Sequence, residues 1–235
     1  MDTSRIFLAK IDPSLQQDAY HYFLQLISKE KRERCLQFQF QQDALRVLYG
    51  ELMIRYFLCH QLSYKNEEIS FYQNRQGKPF IQNAPIHFNL SHSGDFVVCA
   101  TSAQEIGVDI EQIRPIDLQL AKRYFHPNEY RDLFLQEEKQ RLDYFFSLWT
   151  LKESYLKWRG SEMTTPLDSF SFHIENGHIS MTDSAQKHKP QFKQFPLLGY
   201  KLSLCTQADA FPDSVEEITL EKMHFGITNS AFIMP

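Results

Sequence analysis

The chain has 235 residues and a formal net charge of −4 at pH 7. That charge argues against a general nucleic-acid binder, because binding to phosphate backbones needs a basic surface. The hydrophobic fraction of 43% is enough for a sizeable core, yet no stretch reaches the roughly 18 apolar residues that cross a bilayer. The four cysteines form no CxxC pair, and the first residues lack the features of a secretory signal. We therefore expect a cytoplasmic protein with reduced thiols.

The first half is predicted to begin with one strand and three helices and to continue as short strands. Apolar residues at helical spacing indicate the helices, while alternation interrupted by Gly or Pro indicates strands and turns. The predicted elements are a strand at 5–11, helices at 14–23, 29–38 and 43–59, a strand at 69–73, a turn at 76–80 and a hairpin at 86–102 that breaks at Ser93–Gly94.

The second half repeats this order of helices followed by strands. Its predicted elements are a strand at 106–115, helices at 118–125, 128–136 and 142–160, and strands at 169–174, 178–181, 200–206 and 224–228. The stretch LYGELMIRYFL also resembles LWTLKESYLKW of the second half, which leaves an internal duplication open. We predict the α+β class, with an N-terminal half at 1–104 and a C-terminal half with an extended tail at 105–235.

Asp109 and Glu111 are two residues apart in a predicted strand, so both carboxylates project from the same face. Neighbouring carboxylates repel each other unless a cation lies between them. Mg²⁺ suits such a place, because it takes a few carboxylate oxygens together with waters and substrate phosphates. The alternative is a polar strand face with two solvated acids, and the two residues alone do not decide between these interpretations.

On the predicted helix at 142–160, Glu153 and Lys157 lie four residues apart. They are on the side opposite to an apolar stripe formed by Leu148, Leu151, Tyr155 and Trp158. One interpretation places Glu153 on the same metal and Lys157 beside a phosphate. The other is an exposed Glu–Lys pair, and the spacing is compatible with both.

The turn NLSHSG at 89–94 combines hydroxyls, the imidazole of His92 and a glycine, a combination that can bind a phosphate oxygen. A plain polar β-turn is the alternative. Four basic side chains are further candidates for an anionic ligand, and a solvated surface charge is the alternative for each: Lys31, Arg34, Arg46 and Lys78. Arg46 lies among apolar residues, where an unpaired guanidinium is costly, so we expect it to have an anionic partner.

Motifs of several other enzyme classes are missing from the sequence. It contains no GxGxxG, no GxxxxGK[ST], no HExxH and no GxSxG, and its nine histidines lack the spacing of metal ligands. A zinc site is therefore not expected, and no residue stands out as a covalent nucleophile.

Three stretches resemble a known family in their order and intervals. FNLSHSG, IGVDIE and LWTLKESYLKWRG are similar to the signature blocks of Sfp-type 4'-phosphopantetheinyl transferases, which activate nonribosomal peptide and polyketide synthetases. The resemblance extends over nearly the whole chain up to about residue 205. It implies a monomer of two similar α+β halves related by a pseudo-twofold axis, with coenzyme A and Mg²⁺ (or Mn²⁺) bound between them.

The resemblance also implies roles for individual residues. The metal-ligating acids correspond to Asp109, Glu111 and Glu153. The lysine near the α-phosphate corresponds to Lys157, which with Glu153 is a candidate catalytic residue. The coenzyme A-binding positions correspond to Lys31, Arg34, Arg46 and His92 around the 3'-phosphate, and to Lys78 and Ser91 near the adenosine portion. The region at 160–191 corresponds to the part that helps to receive the carrier protein.

The implied reaction transfers 4'-phosphopantetheine from coenzyme A to a serine of an apo acyl or peptidyl carrier protein and releases 3',5'-ADP. Positioning and charge neutralisation by a metal ion and Lys157 suit such phosphoryl transfer. We expect the serine proton to go to Glu153, to a water that Glu153 holds, or to Glu129. The alternatives are a magnesium-dependent pyrophosphohydrolase that uses the same acids and a non-catalytic module that binds coenzyme A or the carrier.

Overall fold

The computed structural model describes residues 4–74, 77–82, 84–160, 165–183, 190–208 and 210–229. It confirms the α+β class. The first half contains, in chain order, β1 (Arg5–Lys10), α1 (Gln17–Leu24), α2 (Lys29–Gln37), α3 (Gln41–Tyr56), a π-helical turn (Phe57–Gln61), a 3-10 turn (Asn66–Glu68), β2 (Phe71–Gln73), β3 (Pro79–Ile81), β4 (His87–Ser93) and β5 (Phe96–Ser102).

The second half begins with a strand, continues with helices and then returns to strands, as the sequence predicts. Its elements are β6 (Ile106–Gln112), a 3-10 turn (Leu118–Leu120), α4 (Ala121–Tyr124), α5 (Pro127–Leu135), α6 (Glu138–Arg159), a 3-10 turn (Leu167–Ser169), β7 (Ser171–Glu175), β8 (His178–Thr182), β9 (Gln191–Leu197), β10 (Tyr200–Thr206), β11 (Glu216–Glu217) and α7 (Leu220–Thr228).

Two larger sheets form the framework, one in each half. The first has the strand order β11-β1-β5-β4, and the second has the order β6-β10-β9. β4 and β5 form the predicted antiparallel hairpin. Gly94 lies in the turn of that hairpin with a φ of +53°, a conformation that glycine adopts without strain. β2–β3 and β7–β8 are separate two-stranded hairpins.

One long helix packs on each of these sheets. α3 is buried over most of its length from Ala44 to Tyr56 and belongs to the core of the N-terminal half. α6 packs on β6 and β10 in the C-terminal half. Although α6 has 22 residues, it carries many charged and polar side chains. Within the part of the chain that the structure describes, no helix has both the length and the apolarity that crossing a bilayer requires.

The burial of α6 differs from the single apolar stripe that its sequence indicates. Lys152 and Ser154 are fully buried together with the stripe. The reason is that the helix packs on the sheet on one side and contacts the segment at 167–170 on another, where the carbonyl oxygens of Leu167 and Phe170 accept from Lys152. Glu153 and Lys157 are the partly exposed positions near its carboxyl end.

The strand predicted at 224–228 is wrong, because these residues belong to helix α7. Thr219 caps the helix by accepting a hydrogen bond from the backbone N–H of Lys222 (3.3 Å). Its buried residues Leu220, Met223 and Ile227 recur at helical spacing and pack in the core of the N-terminal half. Strand β11 also joins the N-terminal half, because it pairs in parallel with β1. The boundary near residue 104 stays a prediction. Residues 216–228, which follow it in the sequence, nevertheless complete the core of the N-terminal half.

Candidate functional site

The two halves meet along a seam between β4 and β6. Three β4 side chains at alternate positions lie on one face of the strand, and each accepts a hydrogen bond from a backbone N–H of β6. The pairs are Asn89 with Val108 (2.9 Å), Ser91 with Ile110 (3.4 Å) and Ser93 with Gln112 (3.1 Å). Side chains therefore take the place of a backbone ladder where the two sheets approach each other.

The predicted acid pair of β6 lies on this seam. Asp109 is buried, and its Oδ1 accepts hydrogen bonds from Ser91 Oγ (2.8 Å) and from Lys157 Nζ (2.7 Å). Glu111 Oε2 accepts a hydrogen bond from Ser93 Oγ (2.7 Å). The second carboxylate oxygen of Asp109, Oδ2, is buried and has no hydrogen-bond partner. A buried carboxylate oxygen without a partner is costly, so this oxygen fits a place for a cation.

Burial raises the pKa of Glu111, and the negative charge of neighbouring Asp109 raises it further. The hydrogen bond from Ser93 and the positive charge of Lys157 act in the opposite direction. The charge of Asp109 thus disfavours the charged form of Glu111, which agrees with the repulsion expected for two acids at this spacing.

Gly107 explains how α6 comes close enough to β6 to reach the acids. A Cβ atom at this position would overlap the backbone carbonyl oxygen of Ser154 and the backbone nitrogen of Trp158. Glycine therefore lets the helix backbone lie directly on the strand. This contact places Glu153 and Lys157 beside the acids of β6.

The acids and the end of α6 line one cavity of about 370 Å³. Its lining residues come from both halves: Leu90, Ser91, His92, Asp109, Glu111, Trp149, Glu153 and Lys157. The structure thus brings together the four charged residues that the sequence singled out around a metal and a phosphate. Among the described residues, however, no three His, Cys, Asp or Glu side chains are close enough together to hold a metal ion by themselves.

A second cavity of about 200 Å³ lies in the N-terminal half and adjoins the first. The two cavities share Leu90, Ser91 and His92 of β4. Cationic and imidazole groups line the second cavity, namely Lys31, Arg46 and His92. Its remaining wall is largely apolar and includes Val47, Ile54, Phe71, Tyr72, Phe88, Leu90 and Val97. Two acids, Glu30 and Glu51, also line it, and Glu51 Oε1 accepts from Arg55 Nε (2.8 Å) and from the backbone N–H of Ser28 (2.6 Å). A single cleft therefore runs along β4 from a cationic, apolar end to an acidic end.

Arg46 has the anionic partner that its apolar surroundings led us to expect. Its guanidinium donates to Asp43 Oδ1 (2.8 Å) one helical turn away and to the carbonyl oxygen of Gly94 (3.3 Å). Its Nε is buried and has no hydrogen-bond partner, which leaves one donor for a ligand. Desolvation, followed by the positive charges of Arg46 and Lys157, lowers the pKa of His92 in the same cleft.

Three other residues named from the sequence do not line the cleft. Arg34 is exposed on α2, with its guanidinium 5.6 Å from the ring of Phe38. Lys78 Nζ donates to Glu105 Oε2 (2.9 Å) and to the carbonyl oxygen of Lys157 (3.1 Å), so it holds the end of α6. Glu129 is fully buried in the C-terminal half, 2.8 Å from Lys152 Nζ. Its carboxylate oxygens accept from the backbone N–H groups of His126 and Phe172.

Glu105 belongs to the C-terminal half and interacts with two basic side chains of the N-terminal half, Lys78 and His87. These interactions predict how the stability of the fold depends on pH. His87 (3.3 Å) and Lys78 (2.9 Å) lower its pKa to about 2. Because this folded-state pKa is below the ordinary 4.5, Glu105 stabilises the fold above that value and loses this contribution as the pH falls towards 2. We expect Glu105→Gln to lower Tm at pH 7, with a difference from the wild type that shrinks between pH 4.5 and 2.

Thermal denaturation followed by circular dichroism across this pH range measures the difference. Glu105 is partly exposed, so added salt should reduce it as well. The exposed acid Glu67 offers a matched control, because Glu67→Gln should show no such convergence. A Tm difference that stays constant from pH 7 to pH 2 would contradict the assignment.

Comparison with known proteins adds a second kind of observation. Residues 12–104 match the family model described as 4'-phosphopantetheinyl transferase, N-terminal, and residues 105–205 match the model of the 4'-phosphopantetheinyl transferase superfamily. The 4'-phosphopantetheinyl transferase Sfp of Bacillus subtilis is 37% identical over 223 residues, which cover 93% of this chain and 99% of Sfp. The chain belongs to the Sfp-type 4'-phosphopantetheinyl transferases. This transferase is an enzyme, as the resemblance of its signature blocks predicts.

Other relatives agree with this assignment of the transferase. The 4'-phosphopantetheinyl transferase gsp of Aneurinibacillus migulanus is 37% identical over 203 residues, covering 86% of this chain and 85% of that protein. Among solved structures, the holo-[acyl-carrier-protein] synthase of Thermotoga maritima aligns over 43% of this chain and 61% of its own, with 16% identity and a TM-score of 0.37. That structural similarity is too low to add to the argument.

Sequence reasoning did not name two residues of this site. Trp149 lines the acidic cavity, and Ser93 bonds to Glu111. The signals for Ser93 were its place among the hydroxyls of the turn at 89–94 and its period-two spacing from Ser91. Outside the site, the buried pair of Lys152 on α6 with Glu129 was also missed, because the two residues are distant in the sequence and local pattern does not connect them.

Proposed function

We propose that this transferase moves 4'-phosphopantetheine from coenzyme A to a serine of apo peptidyl or acyl carrier proteins of nonribosomal peptide or polyketide synthetases, with release of 3',5'-ADP. The observation that supports this most directly is the cleft across the seam. Its cationic, apolar end and its acidic, lysine-containing end adjoin at Ser91 and His92. A nucleotide with phosphates at two separate positions matches that distribution of charge.

At the cationic end, Lys31, Arg46 and His92 are the proposed contacts of the 3'-phosphate, and the apolar wall is the proposed site of adenine. The Arg46 Nε without a partner supports this, because a phosphate oxygen would satisfy it. Arg34 is proposed to act at longer range from the surface of α2. Lys78 and Ser91 remain proposals for the adenosine portion, although their polar groups already hold α6 and Asp109.

At the acidic end, Asp109, Glu111 and Glu153 are the proposed ligands of Mg²⁺, with Mn²⁺ as the alternative ion. The fit rests on the partnerless Oδ2 of Asp109 and on the hard oxygen donors beside it. Mg²⁺ is usually held by one or two carboxylates together with substrate phosphates and waters, so the acids need not form a complete cage. When bound, the ion would neutralise charge on the pyrophosphate during transfer.

The remaining roles belong to side chains of α6. Lys157, with its Nζ at the seam, is proposed to neutralise a non-bridging oxygen of the reacting phosphate. Glu153, or a water that it holds, is proposed to take the proton of the carrier serine. Glu129 is a poor candidate for that step, because its carboxylate is fully buried and bonded to Lys152 and to two backbone N–H groups.

The carrier protein is proposed to dock around 160–191, and the protein is proposed to act as a monomer. The described part of this region consists mainly of the hairpin β7–β8, in which outward-facing side chains alternate with buried ones. Residues 161–164 and 184–189 of the predicted docking region lie outside the described residues.

Intact-mass spectrometry of an apo peptidyl carrier protein tests the proposal. The carrier is incubated with this protein, coenzyme A and Mg²⁺, and released 3',5'-ADP is quantified in parallel. We expect a gain of one phosphopantetheine group that is abolished by EDTA and by replacement of the carrier serine with alanine. Release of 3',5'-ADP without any carrier modification, on several carriers, would indicate hydrolysis by water and overturn the proposal.

A further inference from the structure

Ser93 makes two hydrogen bonds to β6, one to the side chain of Glu111 and one to the backbone N–H of the next residue, Gln112. Its Oγ accepts from the backbone N–H of Gln112 (3.1 Å) and lies 2.7 Å from Glu111 Oε2. A hydroxyl has a single proton, and a backbone N–H can only donate. The Ser93 proton is therefore directed to the Glu111 carboxylate, and the backbone contact fixes the direction from which it arrives.

The same arrangement recurs one repeat earlier along the seam. Ser91 Oγ accepts from the Ile110 N–H and donates to Asp109. In each case the serine bonds to the side chain of one β6 residue and to the N–H of the next. At the first position of the seam, Asn89 opposes Gly107 and Val108, and it makes the N–H contact alone because Gly107 has no side chain. The register of two strands thus assigns one hydroxyl to each acid.

We propose that Ser93 is a positioning residue that holds the Glu111 carboxylate beside Asp109, so that the two acids present their oxygens to the same cation. The proposal deepens the proposed function and rests on its assignment of the metal to these acids. Asp109 is buried and held at Oδ1 by two donors, whereas Glu111 has a longer side chain and is only partly buried. Without the hydrogen bond from Ser93, the Glu111 side chain would populate a larger set of rotamers.

The affinity for Mn²⁺ measures this role without requiring turnover. Mn²⁺ is titrated into the full-length protein with coenzyme A present, and free Mn²⁺ is followed by electron paramagnetic resonance, with coenzyme A alone as the blank. Residues that orient metal ligands typically contribute about 10- to 100-fold to affinity. We expect Ser93→Ala to weaken Mn²⁺ binding by about 10-fold and to raise the Mg²⁺ concentration for half-maximal transfer in parallel.

Matched variants separate positioning from packing. Ser102→Ala removes a buried serine of the adjoining strand β5, which likewise accepts from a backbone N–H, that of Gln104 (3.1 Å), away from the acids. It should leave the Mn²⁺ affinity unchanged. Ser93→Thr keeps the hydroxyl and should restore the affinity. In a Glu111→Gln background, Ser93→Ala should have little further effect on Mn²⁺ binding, because the two residues act through one contact.

The outcomes are distinguishable from failure of the proposed function. If the wild type shows no metal-dependent carrier modification, the assignment of the metal is itself wrong and the proposal falls with it. If the wild type is active and Ser93→Ala binds Mn²⁺ as tightly as the wild type, Ser93 does not position Glu111. Equal weakening by alanine and threonine would attribute the effect to packing and also overturn the proposal.

Discussion

Asp109→Asn is expected to lower kcat/KM for carrier modification by about 1,000-fold, because a metal ion supplies several kcal/mol of charge stabilisation in such reactions. Asparagine keeps the shape of the side chain and can still accept from Ser91. It removes the negative charge beside Glu111 and replaces one carboxylate oxygen with an amide nitrogen, which cannot ligate a hard cation. It also removes the negative partner of Lys157.

Two effects of opposite sign act on the free energy of unfolding of this variant. Losing the Asp109–Lys157 ion pair destabilises the fold, whereas relief of repulsion with Glu111 stabilises it. The fold should therefore survive, and circular dichroism and Tm check that point. Asp12→Asn is the matched control, since Asp12 is exposed and hydrogen-bonds to Ser14 on a loop. Transfer within ten-fold of the wild type at saturating Mg²⁺ would contradict the role of Asp109.

Lys152→Met is expected to lower the free energy of unfolding by about 3–5 kcal/mol, the usual cost of removing one partner of a buried ion pair. Lys152 and Glu129 are both fully buried and 2.8 Å apart. The ammonium also donates to the carbonyl oxygens of Leu167 and Phe170 (both 2.8 Å). Methionine fills similar volume but leaves the Glu129 carboxylate without its cation and both carbonyl oxygens without that donor.

Urea unfolding with linear extrapolation measures the loss. The exposed lysine Lys139 lies on the same helix and pairs with Glu137 at the surface, so Lys139→Met should change stability by no more than about 0.5 kcal/mol. Adding Glu129→Gln to Lys152→Met should recover part of the loss, because it removes the uncompensated charge. A cost below about 1 kcal/mol for Lys152→Met would show that the pair does not stabilise the fold as proposed.

Local patterns predicted most of the fold. The hairpin at 86–102 was recognisable from alternation around a glycine. The strand predicted at 106–115 was recognisable from its alternating apolar residues, although in the structure it ends at Gln112. The strand β9 was missed because its sequence, QFKQFPL, carries a proline and many polar residues. Such a sequence is tolerated at the edge of a sheet, and among the described strands β9 pairs with β10 alone. Helix α7 was read as a strand because its short apolar run was considered without the preceding Thr219 cap.

The candidate site was predictable only in part. Period-two alternation placed Asp109 and Glu111 together, since it depends on backbone geometry alone. The approach of Glu153 and Lys157 to them depends on how α6 crosses β6 at Gly107, which helical spacing does not specify. The resemblance to a family was what predicted that Glu153 and Lys157 lie beside Asp109 and Glu111. Contacts between residues far apart in the sequence, such as Lys78 with Glu105, were beyond local pattern for the same reason.

The position of β11 and α7 has a consequence during synthesis of the protein. Residues 216–228 leave the ribosome long after β1, β5 and α3, yet they cover one edge of β1 and pack on α3. A nascent chain that has produced β1, β4, β5 and α3 therefore still exposes an open strand edge and an apolar helix face. Open edges of this kind template pairing between chains. The N-terminal core is therefore complete only once residues 216–228 have been made, although most of its elements are synthesised first.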